Sequence, residues 1–332
     1  MVLNVALVGA GRMGTIHAAS IARHPGARLV SIADRDGERA SGLAERHGAE
    51  ATTETEAAIT SDAVDAVVVA SSTDTHVELV ELAASAGKAI FSEKPLALDS
   101  ERGARCLEVV DARGALLQVG FNRRFDPSFR GVKAAIDEGR IGKVELVVLT
   151  SRDPELPPPG YIETSGGLFR DFAIHDFDTA RWLLSEEPIE VVAFGSNLVD
   201  PSVGAAGDVD TAMTLLRTAS GALCHINNSR RAVYGYDQRI EVHGSLGMAQ
   251  AGDRTPASVV VTTGEAIHHS LPHRWFPQRY AEAYEAEMAA FIEAATNGTP
   301  ALVTGLDAVR AGRLADAAQE SLETGRPVAV GG

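Results

Sequence analysis

The sequence predicts an α/β chain in two parts, a doubly wound parallel sheet followed by an α/β domain with a large, mainly antiparallel open sheet. Three observations carry this. Short runs rich in Val, Ile and Leu alternate with alanine-rich helical patterns over the first 120 residues. Beyond them, strands follow one another with turn signals between. The length, 332 residues, makes two domains at roughly 150 residues each. The boundary is set at residues 1–121 for a dinucleotide-binding domain and 122–332 for a substrate-binding and oligomerisation domain.

In the first part the strands are placed at residues 2–8, 28–33, 65–70, 88–91 and 116–119, and helices at 13–23, 38–47, 76–86 and 100–112. Strands apolar on both faces and separated by helices pair in parallel, with a helical layer on each side. In the second part, a helix at 127–138 and a strand at 143–151 precede the proline-rich loop 154–160 and a helix from about 168 to 184. Strands at 189–198, 210–217, 223–229, 238–243 and 258–262 follow. Ala219-Ser-Gly221 and Gly244-Ser-Leu-Gly247 punctuate them, the mark of hairpins. Two helices, 280–296 and 306–323, close the chain.

Composition narrows the partners. Hydrophobic residues at 45% and charged residues at 23% supply an ordinary packed core and exclude intrinsic disorder. The net charge of −15 repels a phosphate backbone, which argues against nucleic acid or an anionic membrane as partner. Two cysteines, Cys106 and Cys224, exclude a disulfide scaffold and a cysteine-based zinc site, and point to the cytoplasm. The N-terminal segment has no basic region before its apolar run and reads as a first strand rather than a signal peptide. The purely apolar runs, such as residues 66–70, are too short to cross a bilayer.

Gly9-Ala-Gly11-Arg12-Met13-Gly14 fits G-x-G-x-x-G between a strand and a helix. The first glycine allows the tight turn, the second admits a pyrophosphate to the backbone, and the third lets helix and sheet pack. Asp34 ends the next strand, where an acid binds the ribose hydroxyls and repels a 2′-phosphate. NAD is therefore the expected cofactor. Arg35 beside it tolerates NADP at lower affinity. Lys94, in Glu93-Lys94-Pro95 after the fourth strand, brings a cation to the sheet edge where ligands sit.

The glycine loop, Ser71-Ser-Thr73-x-x-His76 and Glu93-Lys94-Pro95 together resemble the glucose–fructose oxidoreductase / inositol dehydrogenase / rhizopine catabolism family, over essentially the whole chain. The resemblance implies a Rossmann domain joined to a domain whose open sheet is commonly the oligomer interface. A homotetramer is the expected assembly. It also implies oxidation or reduction of secondary hydroxyls on sugars and cyclitols, with Ser71, Thr73, His76, Glu93 and Lys94 at the cofactor.

Asp171 and His175, four apart on one helix, share a face, while Phe169, Phe172, Ala173, Phe177, Ala180 and Leu184 gather mostly on the other. A solvent-exposed ion pair has the same spacing. Imidazole, however, suits the proton transfer that alcohol oxidation needs near neutrality, and Lys94 is placed to stabilise the developing alkoxide. The family's Asp-x-x-x-His maps onto Asp171 and His175, with Lys94 as third member. No metal is expected, since no third ligand is recognisable. Tyr234-Gly-Tyr236-Asp237 resembles the inositol 2-dehydrogenase branch, which places Tyr236 at the substrate, and Arg123 matches another position near it. The expected reaction is NAD-dependent oxidation of a cyclitol, myo-inositol to 2-keto-myo-inositol. The alternatives are a scyllo-inositol or aldose dehydrogenase, or a non-catalytic nucleotide-sensing regulator.

Overall fold

The computed structural model describes residues 2–158 and 160–331; Met1, Gly332 and Pro159 of the 154–160 loop lie outside the described residues. The chain divides into two compact units, Met1–Phe125 with Glu282–Gly312, and Asp126–Ala281 with Arg313–Gly332. The return of residues 282–312 to the first unit is not carried by periodicity, which shows that a helix is amphipathic but not what it packs on.

The first unit is a six-stranded, all-parallel sheet. Its strands are β1 (Leu3–Val8), β2 (Ala27–Ala33), β3 (Glu50–Thr52), β4 (Ala66–Val69), β5 (Ala89–Ser92) and β6 (Leu117–Val119), in spatial order β3-β2-β1-β4-β5-β6. That order reverses beside β1, and the crevice at the reversal is where such sheets bind dinucleotides. The crossovers are α1 (Arg12–Arg23), α2 (Gly37–His47), α3 (Thr55–Thr60), α4 (His76–Ser85) and α5 (Ser100–Ala112). Central strands are apolar throughout because helices cover both faces; Ala66, Val67, Val68 and Val69 are all fully buried. Asp36 and Asp99 cap α2 and α5 by accepting first-turn N–H groups.

In the second unit Asp126 caps α6 (Pro127–Asp137), with Pro127 at its first turn. Then come β7 (Val144–Arg152), α7 (Ile162–Ser165), a π-helical turn (Leu168–Phe172), α8 (Ile174–Leu184), β8 (Pro188–Ser196), α9 (Pro201–Ala205), β9 (Thr211–Thr218), β10 (Leu223–Ser229), β11 (Asp237–Gly244) and β12 (Gly247–Ala251). A separate hairpin pairs β13 (Val260–Thr262) with β14 (Ile267–His269), and α10 (Phe276–Arg279) precedes α11 (Ala281–Asn297), α12 (Gly305–Thr324) and β15 (Val328–Ala329). The seven-stranded sheet runs β12-β11-β7-β10-β9-β8-β15, antiparallel except for β7 against β10. Strand alternation is strict in β9: Ala212, Thr214 and Leu216 are buried, whereas Met213, Leu215 and Arg217 face out.

One expectation is corrected. Residues 168–184 are not one α-helix: the Ala173 N–H reaches the Leu168 carbonyl at 2.8 Å, an i→i+5 bond, before α8 begins. Gly166 and Gly167, at φ of 87° and 80°, turn the chain into this segment, and Asp208 Oδ1 accepts the Leu168 N–H at 3.0 Å. Such turns insert a residue into helical phase and are frequent at functional sites.

Candidate active site

The glycine loop is built by close approach of backbones. Gly9 has φ of 99°, and a Cβ there would lie 2.5 Å from the Ala70 carbonyl oxygen. A Cβ on Gly14 would lie 1.9 Å from the Gly9 oxygen, whereas one on Gly11 meets nothing within 4 Å. The first and third glycines thus serve the fold, and the second leaves room for a ligand. Helix α1 starts with no side-chain cap and no acidic residue in its first turn, so its N–H groups point at the same space as an anion site. Arg12 is exposed and Met13 half-buried there.

Asp34, at the end of β2, does two things. Its Oδ2 accepts the Ala10 N–H at 2.7 Å, and its Oδ1 accepts the Asp36 N–H at 2.9 Å. A carboxylate offers about four lone-pair sites, so capacity for ribose hydroxyls remains. Arg35 beside it is exposed.

At the ends of β4 and β5, Ser71 and Thr75 hydroxyls meet at 2.7 Å, and Thr73 opens a short 3-10 turn. His76 is buried, with Nδ1 2.8 Å from the Pro95 carbonyl and Nε2 3.2 Å from that of Ser71. Burial holds its pKa below the usual imidazole range, against the pull of those two carbonyls. Its ring staples the Ser71 loop to the Lys94–Pro95 turn rather than facing solvent. Glu93 is buried too: its Oε1 meets His17 Nε2 at 2.6 Å and its Oε2 accepts the Lys94 backbone N–H at 3.1 Å. Lys94 itself is half-buried. Arg123 is buried in the 3-10 turn after β6.

In the second unit, Asp171 lies on the π-helical turn and His175, half-buried, on the first turn of α8. The Tyr161 hydroxyl donates to Asp171 Oδ1 at 3.0 Å, and the buried Arg230 guanidinium stands 3.9 Å from both Asp171 and Asp208. The expected apolar stripe of this segment is buried throughout. Tyr236 packs edge-on against Trp275 and Tyr280, at 6.1 and 6.0 Å between ring centres.

Residues 3–121 match the family model described as "Oxidoreductase family, NAD-binding Rossmann fold", and residues 129–250 match the GFO/IDH/MocA C-terminal domain. The chain belongs to the GFO/IDH/MocA family. It is 48% identical to inositol 2-dehydrogenase of Rhizobium meliloti (strain 1021), over 99% of this chain and 100% of that one. A crystal structure of a myo-inositol dehydrogenase from Corynebacterium glutamicum superposes with a TM-score of 0.96 at 40% identity, covering 100% of both chains. A Lactobacillus casei scyllo-inositol dehydrogenase, solved with bound NAD(H) and scyllo-inositol, superposes at 0.93 with 30% identity and 99% coverage of both. This GFO/IDH/MocA member is an NAD-dependent oxidoreductase, as its glycine loop predicts.

The GFO/IDH/MocA chain also holds polar residues that sequence reading passed over. Asp176 is buried and accepts from Ser151 Oγ at 2.5 Å and Asn228 Nδ2 at 2.8 Å. Gln238 joins that network through Ser151 and the Tyr280 hydroxyl. The signal for Asp176 was present: it stands four residues from Phe172 and from Ala180, inside the apolar stripe. Arg230 lies in the polar cluster before β11 but carries no mark of burial. Among the described residues no helix is long and apolar enough to cross a membrane.

Proposed function

We propose that this chain oxidises myo-inositol at one ring hydroxyl to 2-keto-myo-inositol. The observation that carries this is the 48% identity to an inositol 2-dehydrogenase along the full length of both chains. NAD, when bound, accepts the hydride from the carbinol carbon. His175 takes the hydroxyl proton, and Lys94 stabilises the negative charge that gathers on the oxygen. Asp171, held by Tyr161 and Arg230, orients the imidazole or binds a neighbouring hydroxyl. Arg123 and Tyr236 contribute to substrate selection. The loop from Gly9 to Gly14, Asp34, Ser71 and Thr73 receive the nucleotide, while His76 and Glu93 act on it through the loops they hold. Lys94, Asp171 and His175 together favour an enzyme over a nucleotide sensor, which has no need of a proton acceptor.

A steady-state panel of myo-inositol, scyllo-inositol and aldoses, each with NAD and with NADP, tests the assignment. The highest kcat/KM is expected for myo-inositol with NAD. A preference for scyllo-inositol would move the protein to the activity named for the Lactobacillus casei relative, and turnover of aldoses alone would overturn the cyclitol reading.

The homotetramer is proposed to form through the outer face of the seven-stranded sheet. Phe194, Met213, Leu215, Leu223, Leu146 and Met248 are 38–66% exposed there. They lie side by side in register, Phe194 opposite Met213 and Leu223 opposite Leu146. An apolar patch of this kind marks an association surface. Met213→Asp with Leu215→Asp is expected to yield a species of lower mass by light scattering; an unchanged mass would remove this face from the assembly. Cys106 and Cys224 are buried free thiols, as suits the reducing cytoplasm we assign.

A further inference from the structure

Inside the first unit, three buried ionisable side chains from distant parts of the chain come together. They are His17 of α1, Glu93 at the end of β5 and Glu287 of α11. One nitrogen or oxygen of each lies within 4.8 Å of the others. The His17 ring sits edge-on to Phe91 at 4.9 Å and to Tyr284 at 6.2 Å. Gly120 borders the group so closely that a Cβ there would stand 3.3 Å from Glu93 Oε1.

Protonation states follow from the hydrogen bonds. Burial opposes charge on Glu93, but the hydrogen bond from His17 and the nearby ammonium of Lys94 outweigh it and hold the carboxyl below its ordinary range. An ionised Glu93 only accepts, so His17 Nε2 donates across the 2.6 Å contact. That leaves Nδ1 an acceptor, and it has no partner among the described residues. Neither carboxyl oxygen of Glu287 has one either. A second carboxylate here would set acceptor against acceptor and bury an uncompensated charge, which is prohibitively costly. A protonated Glu287, within 4.8 Å of His17 and Glu93, carries a donor where a carboxylate carries none. Burial, then the charge of Glu93, accordingly pushes its pKa well above the usual carboxyl value.

We propose that Glu287 is a positioning residue which, as an uncharged acid, completes a Glu287–His17–Glu93 chain that fixes the turn carrying Lys94. The link is Glu93 Oε2, which accepts the Lys94 backbone N–H while Oε1 is committed to His17. Gln118 Nε2, donating to the Glu287 backbone carbonyl at 2.8 Å, anchors α11 at this point. A metal ion fits less well. The 2.6 Å His17–Glu93 contact is shorter than the separation of two ligands that share an ion at about 2.0–2.2 Å.

The proposal rests on Lys94 acting in catalysis. Wild-type turnover of the cyclitol reports on that reading, and the comparison of variants reports on this one. At mildly alkaline pH the infrared carbonyl stretch of a protonated carboxylic acid is expected in the wild-type protein and absent from Glu287→Gln. Glu287→Ala is expected to lower kcat by roughly 10–100-fold with little change in NAD affinity, and Glu287→Gln to recover to within about threefold of wild type, since misplacing a reacting group by about 1 Å costs on the order of 10²-fold. If Glu287→Ala fails to fold, the infrared band and Glu287→Gln decide alone. Absence of the band from wild type, a Glu287→Gln enzyme as slow as Glu287→Ala is expected to be, or a folded Glu287→Ala at full kcat would overturn the proposal. So would a stoichiometric metal whose chelation removes activity.

Discussion

His175→Ala is expected to lower kcat for myo-inositol oxidation by roughly 10²–10⁴-fold, the range for loss of a general base. The fold should survive, because His175 is half-buried on the first turn of α8 and the stripe that packs this segment runs through Phe172, Ala173, Phe177 and Ala180. NAD affinity, measured by fluorescence titration, should hardly move, since no part of the nucleotide cradle lies on this helix. The decisive pattern is therefore a loss confined to turnover, with melting temperature and nucleotide binding preserved. A folded variant turning over at the wild-type rate would remove His175 from the proton transfer and leave Asp171 without an imidazole to orient.

Gly14→Ala is expected to damage fold and cofactor binding together. Its Cβ would sit 1.9 Å from the Gly9 carbonyl oxygen, a backbone atom that moves only if the loop opens. Overpacking of this kind costs about 3 kcal/mol or more, equivalent to roughly 10²-fold in NAD affinity if the strain falls on the bound loop. Gly11→Ala separates the two effects. Its Cβ meets no protein atom within 4 Å, and a change at a helix cap costs the fold about 1 kcal/mol or less. The methyl nonetheless occupies the space assigned to the pyrophosphate. A melting curve near wild type with weakened NAD binding is the expected result, read by thermal denaturation and titration. Equal affinity in both Gly11→Ala and wild type would place the pyrophosphate elsewhere.

Much of this was legible before any coordinates. Both-face burial writes itself into a parallel strand as an unbroken apolar run, so β1, β4 and β5 stand out, and the glycine loop names its own turn. What escaped was weakly written or nonlocal. Strands β3 and β15 are short and largely exposed, with little apolar pattern to detect. The π-helical turn under Asp171 leaves the hydrophobic spacing nearly unchanged while shifting the backbone bonding by one residue. His76 and Glu93 carry motif positions that read as ligand contacts; the motif does not announce that they also meet Ser71, Pro95, His17 and the Lys94 N–H. Glu287 lies 194 positions beyond Glu93 in the chain, and no local pattern announces such a meeting.

Helix α11 also governs the order in which the molecule can be made. Met288, Phe291 and Ile292 belong to the same buried cluster as Leu7, Ile32 and Phe91, so the nucleotide-binding core lacks a wall until the chain has been extended through Ile292. A nascent chain halted after β6 therefore carries a finished sheet with an uncovered apolar flank.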